Sequence, residues 1–168
     1  GITNRQFEQI PTSFSMQKLI NGEVGATSVF VTNQPFYLEQ QNIPYRMILP
    51  RSYGIDFYGD TLFTRESLLE DQPELARAFY EATLRGWRYA FDRPGEVIDI
   101  ILQKYSDFPF AHSRNHLEYE HKEMKQLVLP DLVELGHMNK SRWQHMANTF
   151  VSLGLLQPDY SLQGFLWS

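Results

Sequence analysis

The pattern of apolar residues in this 168-residue chain changes near Thr64. Before that point, runs rich in β-branched residues alternate with short helical segments; after it, apolar residues recur at helical spacing. Val24–Val31 and Tyr45–Leu49 are predicted to be buried strands, and Leu62–Thr64 a third, short strand. A sheet of two or three strands is too small to cover the helices that follow. The pattern therefore predicts an α/β fold that is incomplete.

Capping residues, prolines and apolar spacing predict six helices, of which the four longer ones lie after Thr64. Two short helices are expected first: Ser13–Ile20, capped by Thr12 or Ser13 and stopped by Asn21-Gly22, and then Phe36–Gln41. Four longer helices are expected after Thr64, two opened by Pro73 and Pro94 and two near Ser113–Val128 and Lys140–Leu155.

Apolar residues define one face on each of the two proline-opened helices. The first helix carries a stripe made up of Leu75, Phe79, Ala82, Gly86 and Tyr89. The second helix is expected to turn inward Val97, Ile98, Ile101 and Leu102. Such stripes must be buried or remain as exposed patches larger than monomers normally tolerate. We therefore expect a homodimer, a swapped segment or rearranged C-terminal helices to cover them.

Composition excludes several classes of protein. The net charge of −5 and the absence of a basic cluster argue against a nucleic-acid partner. The chain has no cysteine, so it has no disulfide framework and no thiolate chemistry. No apolar stretch reaches the roughly 18 to 20 residues that span a bilayer. Residues 1–5 carry no signal-peptide hydrophobic region, so any export signal or anchor is expected to have been removed.

Two segments are candidates for ligand binding. Asn33 and Gln34 directly follow a predicted strand, where open α/β sheets place ligands, and Pro50–Asp60 is dense in glycine and aromatic residues. Aromatic rings there can stack on a planar ligand while a carboxylate accepts from its amines. The alternative is that the glycines mark tight turns and the rings fill a hinge. The expected ligand-binding residues are Asn33, Gln34, Tyr53, Asp56, Phe57, Tyr58 and Asp60.

Other candidates are weaker. Trp87, at helical spacing from Tyr80, is expected to be core. His112 and His116 can share one helix face, but the segment lacks a complete metal-ligand pattern, and a solvated helix of mixed charge explains it better. No nucleophile motif, phosphate loop or dinucleotide fingerprint occurs, so we expect no catalysis, cofactor or metal.

Five separated motifs, in order, carry a family resemblance. They are Gly22–Ala26, Thr32–Phe36, Tyr53–Thr64, Leu84–Ala90 and Gly136–Asn139. Together they resemble the periplasmic binding proteins related to the yeast thiamine-pyrimidine synthase and the bacterial pyrimidine-precursor transporters, particularly those that serve as sensor domains of membrane-bound diguanylate cyclases and histidine kinases. Relatives commonly have Asn-Glu-Pro where this chain has Asn33-Gln34-Pro35, and aspartate in place of Gly25. The first departure removes a carboxylate that could pair with the family's pyrimidine ligand.

The resemblance implies a periplasmic-binding-protein-like fold of type II with a helix-rich C-terminal half, in which the start of the first lobe is missing from an otherwise two-lobed clamp. Residues 1–92 are expected to form the α/β lobe, with 50–64 as a hinge-like segment. Residues 93–168 are expected to form a helical region that packs toward the other lobe.

The implied function is extracytoplasmic binding of a small planar polar molecule, such as a thiamine pyrimidine precursor. The implied partner is a membrane-bound output domain or an ABC permease, and the full-length protein is expected to be periplasmic and membrane-anchored. Alternatives of other classes are an enzyme related to pyrimidine biosynthesis and a helical protein-interaction module. The yeast enzyme uses a histidine and a cysteine-rich segment, and this cysteine-free chain cannot share that chemistry.

Overall fold

The computed structural model describes residues 5–11, 15–105 and 113–167. These residues form two compact units, each built from two separate stretches of chain. The first unit combines the described residues up to Tyr45 with those of Arg93–Val128, and the second combines Arg46–Asp92 with the described residues from Leu129 onward. One boundary between the two units falls between Asp92 and Arg93, the position at which the sequence analysis divides the chain. The division into 1–92 and 93–168 stays a prediction.

Helices account for all the regular secondary structure of the described residues. Their bounds are α1 Gln17–Ile20, α2 Pro35–Gln40, a 3-10 helix Pro50–Tyr53, α3 Glu66–Asp71, α4 Pro73–Asp92, α5 Pro94–Lys104, α6 Arg114–Val128 and α7 Lys140–Ser152. The four long helices expected after Thr64 are confirmed, and α3 was not predicted. Within this part of the chain, none of the helices has the length and apolarity needed to cross a membrane.

Local chemistry explains where the helices begin and end. Pro73 and Pro94 occupy the first positions of α4 and α5, where a missing N–H costs nothing. After α1, Gly22 adopts a φ of 73°, and after α7, Gly154 adopts a φ of 70°, the left-handed conformation that ends helices. Helix α1 begins only at Gln17, and its expected caps Thr12 and Ser13 lie outside the described residues.

The predicted strands are not formed in the described part of the chain. Val24–Val31, Tyr45–Leu49 and Leu62–Thr64 have no strand hydrogen bonding, and Phe30 and Ile48 are 63% and 78% exposed. The physical reason is that β propensity measures how well a residue fits a pleated, partly buried surface, which neighbouring strands must supply. The α/β class therefore rests on sequence alone, and the described chain is helical.

Helices α5 and α6 pack together in the first unit. Ile98 of α5 and Leu117 of α6 are buried, together with Leu38 of α2 and Met16. Each fully buried aliphatic side chain contributes about 2 kcal/mol relative to exposure. The prediction for the inward face of α5 is confirmed, because Val97, Ile98, Ile101 and Leu102 are all buried or partly buried.

Helix α4 packs in the second unit through a face next to the predicted stripe. Ala76 and Phe91 are buried, and Tyr80 and Leu84 are partly buried. The last two lie against Gly136, which has a φ of 82°; a Cβ there would lie 2.8 Å from Tyr80 Oη and 2.9 Å from Leu84 Cδ2. The predicted stripe remains exposed in the chain, with Leu75 at 54%, Phe79 at 61% and Tyr89 at 46%.

Candidate functional site

Tyr58, a predicted stacking residue, packs on the first turn of α7. Its Oη accepts a hydrogen bond from the backbone N–H of Asn139 at 2.6 Å. The Trp143 ring centroid lies 5.2 Å from that of Tyr58, and the Arg142 guanidinium carbon lies 4.8 Å from the Tyr58 centroid. The ring is therefore partly covered by an aromatic side chain and a cation of the same helix.

Asp56, which with Asp60 was one of two candidates for the polar anchor, forms an ion pair with the same helix. Its Oδ2 accepts from Arg142 Nε at 3.1 Å and from Arg142 Nη2 at 2.5 Å. The hydrogen bond to Asp56 raises the pKa of Arg142 above its ordinary value. The two side chains are 54% and 39% exposed, and ion pairs at such exposure contribute about 0 to 1 kcal/mol. We call Asp56, Tyr58, Asn139, Arg142 and Trp143 the Tyr58 cluster.

The cap of α7 holds this cluster in place. The Asn139 side-chain oxygen accepts from the backbone N–H groups of Ser141 and Arg142, at 2.8 and 3.2 Å. Capping fixes the first turn, from which the Arg142 and Trp143 side chains project. One turn further on, His145 Nε2 donates to the Gly54 carbonyl oxygen at 2.7 Å, since a carbonyl can only accept.

The other site residues predicted in this segment differ in their surroundings. Phe57 packs on Phe150 of α7, with ring centroids 5.5 Å apart. Tyr53 is 72% exposed, and Asp60 is also exposed. The structure thus brings Asp56, Phe57 and Tyr58 together against one helix, while Tyr53 and Asp60 face solvent.

Asn33 and Gln34, the remaining predicted residues, belong to the first unit and precede α2. Gln34 is only 5% exposed, and its Oε1 accepts from the backbone N–H of Phe30 at 2.8 Å. Asn33 Nδ2 donates to Glu120 of α6. Both side chains therefore take part in hydrogen bonds within the unit.

A buried histidine lies beside Asn33 and Glu120. His116 is 1% exposed and its ring stacks on Phe36, with centroids 4.8 Å apart and planes at 25°. Tyr37 Oη lies 3.4 Å from His116 Nδ1, and Glu120 Oε1 lies 3.8 Å from His116 Nε2. Burial, and then the Glu120 charge, raise the pKa of Tyr37. The expectation of a solvated helix is wrong at His116, because this face of α6 packs on α2.

The metal alternative gains no support within the described residues. No group of three or more histidine, aspartate or glutamate side chains there converges in a way that could hold a metal ion. His112, the first histidine of the proposed pair, lies outside the described residues. Trp87, expected to be core, is 46% exposed and stacks on Phe91 with centroids 6.0 Å apart.

Two grooves in the second unit lie between α7 and the segment that follows it. The larger, of about 630 Å³, is lined by both polar and apolar side chains, and three of the polar ones, Gln144, Asn148 and Tyr160, hydrogen-bond to one another. The smaller, of about 310 Å³, is lined in part by Trp143 and Phe165. None of the seven predicted site residues lines either groove.

Sequence reasoning missed three residues at these sites, Glu120, Arg142 and Trp143, and it considered His116 only as a metal ligand. The sequence carries a weak signal for Arg142 and Trp143, because both lie in the first turn of a helix that Asn139 caps. It carries no signal that this turn packs on Asp56 and Tyr58, more than 80 residues earlier.

A comparison with known proteins matches this chain to a family whose members have a periplasmic-binding-protein-like fold. The profile of the family described as NMT1/THI5 like matches residues 1–97. The chain belongs to that family, so the family resemblance drawn from its motifs is confirmed, while the sensor-domain type stays a prediction. The matched range includes all seven predicted site residues.

One curated relative is the formylaminopyrimidine-binding protein of Halalkalibacterium halodurans. It is 23% identical over 95 residues, which make up 54% of this chain and 29% of the relative. The chain thus spans under a third of the length of the curated relative it matches. No solved structure matches the chain. The relative's name describes a binding protein.

Proposed function

We propose that this chain is the ligand-binding part of an extracytoplasmic solute-binding or sensor protein that recognises a small planar polar molecule. Thiamine pyrimidine precursors are the proposed ligand class. The observation that carries the proposal is the family match over residues 1–97, supported by a relative named for binding formylaminopyrimidine.

The chemistry of the Tyr58 cluster supports this ligand class. An aminopyrimidine is flat and carries an exocyclic amine, so it can stack on an aromatic ring while donating to a carboxylate. Asp56 and Tyr58 offer that pair of groups, and both are accessible to a ligand because neither is buried. Tyr53, Phe57 and Asp60 are proposed as further contacts from the same segment.

Asn33 and Gln34 are proposed as ligand contacts in their own right. The amide of Gln34 is neutral where relatives commonly have a carboxylate, so it suits a neutral hydrogen-bonding group. Both side chains already take part in hydrogen bonds within the first unit, so a ligand must replace these hydrogen bonds with its own.

The proposed output is a membrane-bound cyclase or kinase, or an ABC permease, and the proposed location is extracytoplasmic and membrane-anchored. A ligand signals only by binding one conformational state better than another. The complete reading frame and the genes beside it discriminate between the two outputs. A membrane span followed by a cyclase or kinase sequence supports the sensor, and a neighbouring permease gene supports the transporter.

Titration calorimetry with 4-amino-2-methylpyrimidine derivatives tests the ligand class. We expect saturable binding at micromolar concentration and about tenfold weaker binding by Asp56→Asn, because a hydrogen bond to a charged group contributes about 1.5 kcal/mol or more. The matched control is Asp71→Asn, which neutralises an exposed carboxylate at the end of α3. Absence of binding to any aminopyrimidine, or equal losses in both variants, would contradict the proposal.

A further inference from the structure

Arg142 presents a flat cationic group to Tyr58 and Asp56 at the same time. Its guanidinium carbon lies 4.8 Å from the Tyr58 ring centroid, and two of its nitrogens lie 3.1 and 2.5 Å from Asp56 Oδ2. Guanidinium is planar, delocalised and rich in N–H donors. The amine-bearing edge of an aminopyrimidine shares its flatness and its N–H donors, and a protonated aminopyrimidine shares its delocalised charge as well.

We infer that Asp56 and Tyr58 form a binding site for a flat, amine-bearing or amidinium-like group, and that Arg142 fills this site as an internal competitor of the ligand. The identity of the natural ligand rests on the proposed function. The site itself does not, because it is defined by the contacts that Arg142 already makes.

Because the Asp56–Arg142 pair is exposed to solvent, a ligand can displace the Arg142 guanidinium. Asp56 and Arg142 are 54% and 39% exposed, and both the ion pair and the cation–π contact are weak at such positions. A ligand must replace these contacts before it gains any of its own. Removal of the guanidinium should therefore raise affinity for a flat cation or aminopyrimidine about three- to tenfold.

Two hydrogen bonds that hold the site do not use the Arg142 side chain. The cap of α7 uses the backbone N–H of Arg142, and the Tyr58 hydroxyl is held by the backbone N–H of Asn139. Arg142→Gln keeps both hydrogen bonds and removes only the competing group. The same Asn139 amide provides a local reporter of ligand binding, because it donates to the Tyr58 hydroxyl.

The experiment titrates the full chain with methylguanidinium chloride at millimolar concentration and with 4-amino-2-methylpyrimidine, following the Asn139 amide by NMR. Wild type is compared with Arg142→Gln, with Arg142→Lys and with the double variant Asp56→Asn/Arg142→Gln. The matched control is Arg85→Gln, which removes the cation of an exposed ion pair with Glu81 on α4. We expect Arg142→Gln to bind both probes three- to tenfold more tightly than wild type and Arg85→Gln, and the double variant to lose this gain.

Equal methylguanidinium affinity in Arg142→Gln and wild type, or no binding by Arg142→Gln, would overturn the inference. Weaker aminopyrimidine binding by Arg142→Gln than by wild type would overturn it as well, since Arg142 would then contact the ligand. Selective methylguanidinium binding by Arg142→Gln without any aminopyrimidine binding would support the site and contradict the proposed ligand class. If Arg142→Gln fails to fold, Arg142→Lys, which lacks the planar fork, decides by the same comparison.

Discussion

Asp56 and Tyr58 show how far residue-level reasoning reaches. Their identities suggest stacking and hydrogen bonding to a planar ligand, and the structure gives them a planar intramolecular partner, the Arg142 guanidinium. Their role in binding a planar ligand stays a prediction. Only the structure showed that such a partner is already present in the chain.

Burial determines the ionisation of Tyr119 on α6. Desolvation first, and then the Glu39 and Glu123 carboxylates, raise the pKa of Tyr119 to about 12 from its ordinary value of 10.0. Its hydroxyl donates to the Val31 carbonyl oxygen at 3.3 Å. Since the unfolded chain loses this proton first, the free energy of unfolding should fall as the pH rises from about 10 to about 12.

Tyr119→Phe should reduce this alkaline loss of stability, because phenylalanine has no proton to lose. Urea unfolding between pH 9 and pH 12 measures the effect, and absorbance at 295 nm follows the late-titrating tyrosine. Tyr53→Phe, at a position 72% exposed, is the control and should leave the pH dependence unchanged. If wild type and Tyr119→Phe lose stability in parallel, the explanation is wrong.

At the scale of elements, helix limits follow local chemistry closely. Prolines open α4 and α5, and Asn139 caps α7. The strands were predicted less well, because a helix satisfies its own backbone while a strand needs a neighbour. The segment 24–31 has the composition of a strand, but the described residues provide no partner for it.

Asn139→Ala should destabilise the second unit by about 1 kcal/mol, since the substitution removes the side chain that accepts from two backbone N–H groups at the start of α7. The midpoint of urea unfolding measures the loss. Asn115→Ala, an exposed substitution within α6, provides the control and should change the midpoint little. Equal shifts in the two variants would exclude a capping role for Asn139.

At the scale of the whole molecule, each compact unit draws on both halves of the chain. The expected homodimer remains a proposal. Its basis is the exposed stripe of α4, where Leu75 and Phe79 are 54% and 61% exposed.

Phe79→Glu should shift a wild-type dimer toward the monomer mass of 19.7 kDa, because a carboxylate within a buried apolar interface would be desolvated. Light scattering over a range of protein concentrations measures the mass. Arg85→Glu, on the same helix but outside the stripe, should leave the dimer intact. A compact wild-type monomer at all concentrations would refute the proposal.

The sequence by itself determined the four long helices after Thr64, the inward face of α5 and the family, because prolines, caps, apolar spacing and ordered motifs act within short stretches of chain. The tertiary structure alone decided that Arg142 pairs with Asp56, 86 residues away, and that His116 is buried beside Tyr37, 79 residues away. It also left the predicted strands unformed in the described residues. Such outcomes depend on which distant surfaces meet, and contacts between distant residues leave no periodic trace in the sequence.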